Sequence, residues 1–392
     1  NSAANTFLPQ LVAHLHGGHT AALYDGFPNF VTVPGESATY RYDNSQQGSL
    51  IWYHDHTMGL TRLNVYAGLA GGYKLTDMNH ARLVEMGVLP TVLGANDTTL
   101  FVADKAFTNT GELYYPAGGG DVLPGTADTV DAVLPLDYAT LGGQFPTAVP
   151  EFYGNVILVN NTAWPHANVA KGDVEFELLN ASDSRIYVLQ LDDPNLKVTL
   201  LGVDGGLMPK TVVLMDGDGI QEAGEQIVFA PADRYQLMFN FDNVAAGSSV
   251  HLLNTSAAYE PFKGFNPDGT LAGGVVQATA ADPVGQIMEF RVDGTLPAFH
   301  TTLTADTVLN PGFTPILESS ATATKKVGLF EYADEFGRVM PLAGTAENTV
   351  DQYGNAVAAG GLGYMTPATE IVNLTGGTGP VTEVWEFYNV TA

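Results

Sequence analysis

The sequence predicts an all-β protein of the sandwich or barrel type. Short segments in which β-branched and aromatic residues alternate with polar ones recur between turn signals along the chain. The 44 glycines and 22 prolines are spread throughout, as expected for many short strands joined by turns. Amphipathic helices of ten or more residues are scarce, and we expect only one short helix, at residues 78–86.

Nine segments carry the strand pattern, each short, apolar on alternate positions or throughout, and bounded by turn residues. They are ESATYRYD (36–43), GNVILVNN (154–161), DVEFELLN (173–180), RIYVLQL (185–191), LKVTLLGV (196–203), RYQLMFNF (234–241), SSVHLLN (248–254), IMEFRV (287–292) and TEVWEFYNV (382–390). This many strands at such spacing is typical of β-sandwiches.

The chain length and two loop-like regions predict the domain organisation. At 392 residues the chain is too long for one ordinary core. Residues 117–150, rich in Gly, Pro, Asp and Ala, precede a run of strands, and a second break lies at residues 292–303. We therefore predict domains at residues 1–150, 151–296 and 297–392.

The composition excludes several classes of protein. The formal net charge of -27, from 42 acidic against 15 basic residues, repels nucleic acid and anionic membranes. It fits a solvated acidic surface in a saline or extracellular setting, and the second interpretation is attraction of cationic substrates or metal ions. The lack of cysteine excludes disulfides, thiolate zinc sites and catalytic thiols. No apolar run is long enough to span a membrane, and residues 1–10 lack the features of a signal peptide.

Two His-x-His pairs are the chemical signal of the sequence. His14 and His16 lie in VAHLHGGH, and His54 and His56 lie in LIWYHDHTMGL. On a strand, residues i and i+2 point to the same face, with Cα atoms roughly 6.7 Å apart. If the two strands are neighbours, four imidazoles converge on one small volume. The spacing is too wide for a pair to chelate one ion comfortably, but it suits giving one nitrogen to each of two adjacent ions.

Imidazole ligation without thiolate or carboxylate suits copper, zinc, nickel or iron. One such pair is weak support for a metal site, because a lone strand histidine is more often structural, but two pairs strengthen it. Gly17 and Gly18 allow close backbone approach after the first pair. Trp52 and Tyr53 either wall off the site or fill the core.

These motifs resemble those of a known family. HLHGGH and WYHDHTMGLTRLNVYAGLAGGY look like the first two copper motifs of the multicopper oxidases, in the bacterial laccase branch with spore-coat laccase, bilirubin oxidase and phenoxazinone synthase. The resemblance extends over essentially the whole chain, through DGFP (25–28), VILVNNTAWP (156–165), FELLNASDSRIYVLQL (176–191), GVDGGLMP (202–209), FAPADRYQLMFNF (229–241) and EVWEFYNVT (383–391). It implies cupredoxin-like Greek-key β-sandwich domains, the second of which is a spacer without copper.

The resemblance also implies roles for individual residues. His14 is expected to bind a type 2 copper, and His16, His54 and His56 to bind the two type 3 coppers of a trinuclear cluster. Asp25 matches the acid kept near that cluster, where it would assist proton delivery to oxygen; a plain turn acid is an equal alternative. The activity implied is one-electron oxidation of phenols, tetrapyrroles or low-valent metal ions, with reduction of dioxygen to water.

Part of the family pattern is not found. The third and fourth copper motifs, of types HPxHxH and HCHxxxH, do not occur, and the type 1 copper needs the cysteine of the fourth. From the resemblance, we expect that the opening strands of the first sandwich are missing as well. We therefore expect a fragment of an extracellular or periplasmic enzyme, inactive alone, whose cluster is completed by a companion chain or a missing C-terminal segment.

Two other functions are alternatives to this one. A non-catalytic scaffold of the same fold would need none of the four histidines, and a cupin-like metalloenzyme would need a glutamate soon after the pair and a later lone histidine, which are not found. The histidines outside the motifs are expected at the surface or in the core; they are His19, His80, His166, His251 and His300. Asp216, Asp218 and Glu222 could hold calcium, but an acidic turn is favoured because the loop spacing is incomplete.

Overall fold

The all-β prediction is confirmed. The computed structural model of the chain describes residues 9–115, 151–222, 224–333, 339–363, 366–370 and 381–391. Within these ranges the chain forms 21 strands and two short α-helices. No helix among the described residues is long and apolar enough to cross a membrane.

The chain divides into two compact units by the contacts of its Cα atoms. The first unit contains the described residues up to Tyr114 and Glu151–Pro311, and the second contains Tyr115 and the described residues from Gly312 onward. The domain boundaries drawn at residues 150 and 296 stay predictions.

Three antiparallel strands in the first unit form what we call the histidine sheet. The central strand is β2 (Leu50–Asp55), which pairs with β1 (Ala13–His16) on one side and β3 (Ala70–Lys74) on the other. Leu15 and Ile51 point to one face and form a small apolar core there. The residues that alternate with them, which include the histidines, point to the other face.

Two short helices follow the strands of this sheet. α1 (Thr61–Tyr66) comes after β2, and α2 (Met78–Glu85) comes after β3. α2 confirms the helix expected at residues 78–86, whereas the sequence pattern does not predict α1. Asp77 caps α2, because its side chain accepts hydrogen bonds from two backbone N–H groups of the first turn.

The largest part of the first unit is a β-sandwich of two sheets. Its strands are β4 (Asp97–Lys105), β5 (Val156–Val159), β6 (Thr162–Ala163), β7 (His166–Ala170), β8 (Asp173–Asn180), β9 (Tyr187–Leu191), β10 (Lys197–Val203), β11 (Gly206–Met215), β12 (Ile227–Phe229), β13 (Arg234–Asn240), β14 (Ser249–Asn254) and β15 (Gln286–Asp293). A seven-stranded sheet, ordered β11-β10-β13-β8-β4-β5-β6, faces a five-stranded sheet, ordered β12-β9-β14-β15-β7. We call this the spacer sandwich.

The two sheets of the spacer sandwich enclose one large apolar core. Its centre holds Phe176, with ring centroids 5.1 Å from those of both Phe239 and Phe290. On the outer face of the seven-stranded sheet, Leu83 of α2 packs in a second apolar cluster with Leu201. The histidine sheet and its helices are therefore anchored on the spacer sandwich.

The second unit contains a smaller sheet and a separate two-stranded ladder. The sheet has the order β20-β17-β16-β21, and its strands are β16 (Ala323–Ala333), β17 (Val339–Thr345), β20 (Gly360–Gly361) and β21 (Glu383–Asn389). The ladder joins β18 (Thr349–Val350) to β19 (Ala356–Val357).

One of the nine predicted strands is wrong. No residue of segment 36–43 pairs in a ladder with any described residue. Its tyrosines are held by side-chain contacts instead: the Tyr40 hydroxyl accepts a hydrogen bond from the Ala13 backbone N–H, and the Tyr42 ring packs against Tyr73. The other eight segments contain strands. Four long strands, β4, β11, β16 and β17, are additional to the prediction.

Candidate metal centre

The register of the histidine sheet brings the two His-x-His pairs face to face. His14 lies directly opposite His54 across the β1–β2 ladder, and His16 lies opposite Trp52. His56 follows the end of β2, where its backbone N–H donates to the Val12 carbonyl at 2.8 Å. Because side chains alternate along a strand, all four imidazoles point to the same face of the sheet.

The four imidazoles form one compact group, which we call the histidine cluster. The shortest centroid separations are across the strands, 4.9 Å for His14 and His56 and 5.4 Å for His14 and His54, whereas the members of each pair lie 5.8 Å apart. His16 Nδ1 is 3.3 Å from His54 Nε2. One ring nitrogen from each of His14, His16 and His54 falls within 4.8 Å of the others. The sequence spacing therefore predicts the convergence correctly.

Asp25 touches the cluster mainly through its backbone. Its carbonyl oxygen lies 2.5 Å from His14 Nδ1, and its carboxylate lies 3.5 Å from the same nitrogen. With Nδ1–H donating to this carbonyl, the lone pair of His14 is on Nε2, the nitrogen left for a metal. Gly26 makes this approach possible, because its φ is +80° and a Cβ there would clash with the Ala13 carbonyl.

Asp55 is a structural hub that sequence reasoning overlooked. It is the buried middle residue of the second His-x-His pair, and its carbonyl accepts from His54 Nδ1 at 2.7 Å. Its carboxylate accepts hydrogen bonds from the Val12 N–H, from the Thr57 N–H and hydroxyl, and from the Asn64 side chain, at 2.8–3.1 Å. Asp55 thus fixes both the β1–β2 ladder and the His54 tautomer. The signal in the sequence that could have identified Asp55 is an acidic residue between two strand histidines.

Trp52 lines the cluster, and Tyr53 does not. The Trp52 ring centroid lies 4.3 Å from that of His54 and 5.2 Å from that of His16, and only 5% of the residue is exposed. Tyr53 points to the other face, and its ring covers Gly71. Trp52 meets both alternatives given for this aromatic pair, because it walls one side of the site and also packs in an apolar cluster with Leu50 and Leu179.

The electrostatics of the cluster favour the neutral forms of three imidazoles, His16, His54 and His56. Burial, the charge of Arg234 and the neighbouring imidazoles lower the pKa of His16 to about 4. Burial is also the main cause that lowers the pKa values of His54 and His56. Neutral imidazoles keep a nitrogen lone pair, which is the form that binds a metal ion.

Two observations show that the residues present fit a metal ion such as copper. The donors are all imidazoles, a set that suits copper, zinc, nickel or iron. In addition, His56 Nδ1 is buried and has no hydrogen-bond partner among the described residues. A buried polar atom without a partner is costly unless another ligand, such as a metal ion, satisfies it.

The remaining candidate residues stay apart from this cluster. His19, His80, His166, His251 and His300 belong to no ligand group in the part of the chain that the structure describes. Asp216, Asp218 and Glu222 do not converge on one point there either; the Asp216 and Asp218 side chains accept from backbone N–H groups two residues onward, as in acidic turns.

Comparisons with known proteins find relatives of this chain. A family model described as "Multicopper oxidase" matches residues 2–80, the region that contains both histidine pairs. The chain is 34% identical to a laccase of Bacillus subtilis (strain 168) over 62% of this chain and 42% of the relative. It is 32% identical to a laccase of Bacillus stratosphericus over 83% of this chain and 56% of the relative.

The fold agrees with these matches. The solved structure of the multicopper oxidase McoA from the hyperthermophile Aquifex aeolicus superposes with a TM-score of 0.59 and 22% identity, over 85% of this chain and 59% of that one. This likeness shows a shared cupredoxin-like fold. The chain spans about half the length of the curated relatives that it matches. On these findings, the chain is similar to the multicopper oxidases in sequence and in fold.

Proposed function

We propose that this chain forms part of a laccase-like oxidase and supplies half of the histidine ligands of its trinuclear copper cluster. Similarity to the multicopper oxidases implies copper as the cofactor. The observation that supports the ligand assignment is the convergence of four imidazoles on one face of the histidine sheet. The substrates proposed are phenols, tetrapyrroles or low-valent metal ions, with dioxygen as the electron acceptor.

Each histidine has a distinct place in this proposal. His14 would bind the type 2 copper, and His16, His54 and His56 would bind the type 3 pair. The bound coppers would supply one-electron redox chemistry. The protein holds the ligands ready: the carbonyls of residues 25 and 55 each engage one Nδ1–H, which leaves Nε2 of His14 and His54 for the metal.

Asp25 is proposed to move protons. Reduction of one dioxygen to two waters consumes four electrons and four protons, so the site needs groups that accept protons from solvent. The Asp25 side chain is 45% exposed and lies 3.5 Å from His14 Nδ1. It therefore borders both solvent and the histidine cluster, as a proton carrier must.

The rest of the enzyme is proposed to lie outside this sequence. A type 1 copper needs a thiolate, and this chain has no cysteine. We propose that a companion chain or a C-terminal continuation supplies the thiolate and the other histidines, in an extracellular or periplasmic setting. Within the chain, the proposed domains are residues 1–150, 151–296 and 297–392, the second without copper.

Copper binding is the direct test of this proposal. We would titrate the metal-free protein with Cu²⁺ and follow stoichiometry by calorimetry and elemental analysis, together with the native mass. The expected result is saturable binding that is lost or weakened at least tenfold in His14→Gln. The matched control is His251→Gln, because His251 is paired with Asp192 outside the cluster. Absence of saturable copper binding, or equal binding by His14→Gln, would favour a non-catalytic scaffold.

A further inference from the structure

Arg234 is a buried cation whose side chain extends from the spacer sandwich to the histidine sheet. It begins β13 and is 7% exposed. Its guanidinium lies against the Gly17 backbone, where a Cβ would be only 2.9 Å from Nη2. Gly17 directly follows His16, so a side chain from a sandwich without copper ligands touches the turn that ends the first His-x-His pair.

The guanidinium is held from both sides. Nε donates to the Leu50 carbonyl in β2 at 3.3 Å. On the spacer side, Nη1 donates to the Ala232 carbonyl at 2.7 Å and Nη2 to the Asp204 carbonyl at 3.1 Å. The Asp204 carboxylate also lies 3.3 Å from Nη1 and accepts from the Arg234 backbone N–H. The rigid, planar guanidinium therefore links the histidine sheet to the spacer sandwich.

The points that Arg234 holds are those that orient the cluster. Leu50 begins the strand that carries Trp52 and His54 on the same face. Gly17 has a φ of +83°, a conformation that favours glycine, and it directs the chain away after His16. A shift of either point would move His16 relative to His54, whose ring nitrogens lie 3.3 Å apart.

We infer that Arg234 is a positioning residue for copper binding, which sets the separation of His16 and His54 through the Leu50 carbonyl and the Gly17 turn. The inference rests on the proposed function, because it presumes that these histidines bind copper. By this inference, the spacer sandwich contributes a positioning residue to the metal site, although it contributes no copper ligand. Lysine cannot replace Arg234, since a single ammonium cannot form the same fork of hydrogen bonds.

The test compares Arg234→Lys and Arg234→Met with Arg291→Met. Arg291 is a matched control because it lies on the same sandwich, at the surface, paired with Glu289. For each protein we would measure the Cu²⁺ dissociation constant by calorimetry, the Cu²⁺ electron paramagnetic resonance spectrum, and the melting temperature of the metal-free form. Outer ligand supports typically change metal affinity by 10–100-fold. We expect a loss of that size and an altered spectrum in Arg234→Lys, with Arg291→Met unchanged.

The outcomes separate the inference from the proposed function. If the unaltered protein and Arg291→Met bind no copper, the proposed function fails. If they bind and Arg234→Lys binds equally well with the same spectrum, the inference fails. Should the Arg234 variants not fold, Gly17→Ala approaches the same contact from the other side, since its Cβ would press on Nη2. Unchanged copper affinity and spectrum in Gly17→Ala would then overturn the inference.

Discussion

His14 and His54 stand directly opposite each other in the β1–β2 ladder, with ring centroids 5.4 Å apart. A slip of the register by one residue would turn His54 to the other face and separate it from His14. The site therefore depends on whatever fixes the pairing of these two strands. Four features of the structure lead to predictions: two lie at this ladder, one lies where the histidine sheet meets the spacer sandwich, and one lies inside the spacer sandwich.

Gly26→Ala should weaken copper binding at least tenfold. An added Cβ would clash with the Ala13 carbonyl next to His14 and push away the Asp25 carbonyl that His14 Nδ1 contacts. Calorimetric titration with Cu²⁺ measures the effect. Gly35→Ala is the matched control, because Gly35 also has positive φ, +93°, but a Cβ there meets no atom within 4 Å. Equal affinities in the two variants would contradict this account.

Asp55→Asn should lower the free energy of unfolding by about 1–3 kcal/mol. The amide nitrogen would face donors that the carboxylate now accepts from, which leaves buried polar groups without partners. Urea unfolding monitored by tryptophan fluorescence gives the value. The exposed Asp43→Asn should leave the unfolding midpoint unchanged. If the unfolding midpoint of Asp55→Asn were as high as that of Asp43→Asn, the hydrogen bonds of Asp55 would not stabilise the fold as described.

Because of Glu175, the free energy of unfolding should fall as the pH rises. Burial raises the pKa of Glu175 from 4.5 to about 8, although the charge of Lys74 opposes the shift. Between these pH values the native chain keeps a proton that the unfolded chain has released, so unfolding becomes easier with increasing pH; above about pH 8 this effect is complete. Burial also raises the pKa of Glu177, which adds to the slope.

Glu175→Gln should therefore reduce this slope without abolishing it. Relative to the unaltered protein, the variant should gain about 1 kcal/mol or more on going from pH 5 to pH 8. Its side-chain oxygen can still accept the hydrogen bond that Gln236 donates to Glu175 at 2.7 Å. Chemical denaturation at several pH values measures the slope, with exposed Glu36→Gln as the control. Parallel curves for all three proteins would contradict the assignment.

Arg185→Met should cost about 3–5 kcal/mol, because it leaves the Asp104 carboxylate buried without its ion-pair partner. Arg185 Nε lies 2.9 Å from Asp104 Oδ2, and both side chains are almost wholly buried. Calorimetric unfolding measures the loss. Lys210→Met breaks an exposed pair with Asp306 and should leave the melting temperature unchanged. Equal effects of the two substitutions would show that burial of the Arg185 pair is unimportant.

Sequence reasoning reached the fold class and the cluster because both follow from local periodicity. The two-residue spacing of His14 and His16 fixes a common face on any strand, and eight of nine alternating segments contain strands. It did not reach Asp55 or Arg234, whose partners lie 43 and 184 residues away in the chain, at Val12 and Leu50. Such contacts depend on the three-dimensional pairing, which a local pattern does not contain.

The same limit explains the wrong strand. Segment 36–43 has the alternation of a strand, but its tyrosines act as side-chain supports, through the Tyr40 hydroxyl and the Tyr42 ring. Conversely, β11 and β16 were overlooked because prolines, glycines and lysines interrupt their apolar patterns. Pairing with neighbouring strands outweighs these local preferences.

Strand β4 sits between β8 and β5, so the spacer sandwich is completed by a strand from the N-terminal side of residue 150. Because β4 is an interior strand of the seven-stranded sheet, it cannot separate without breaking the hydrogen bonds to both of its neighbours. Heat or denaturant should unfold the histidine sheet and the spacer sandwich together, in one cooperative transition. A break in the backbone between β4 and β5 would leave two pieces that complement each other, since each carries the hydrogen-bonding edge that the other lacks.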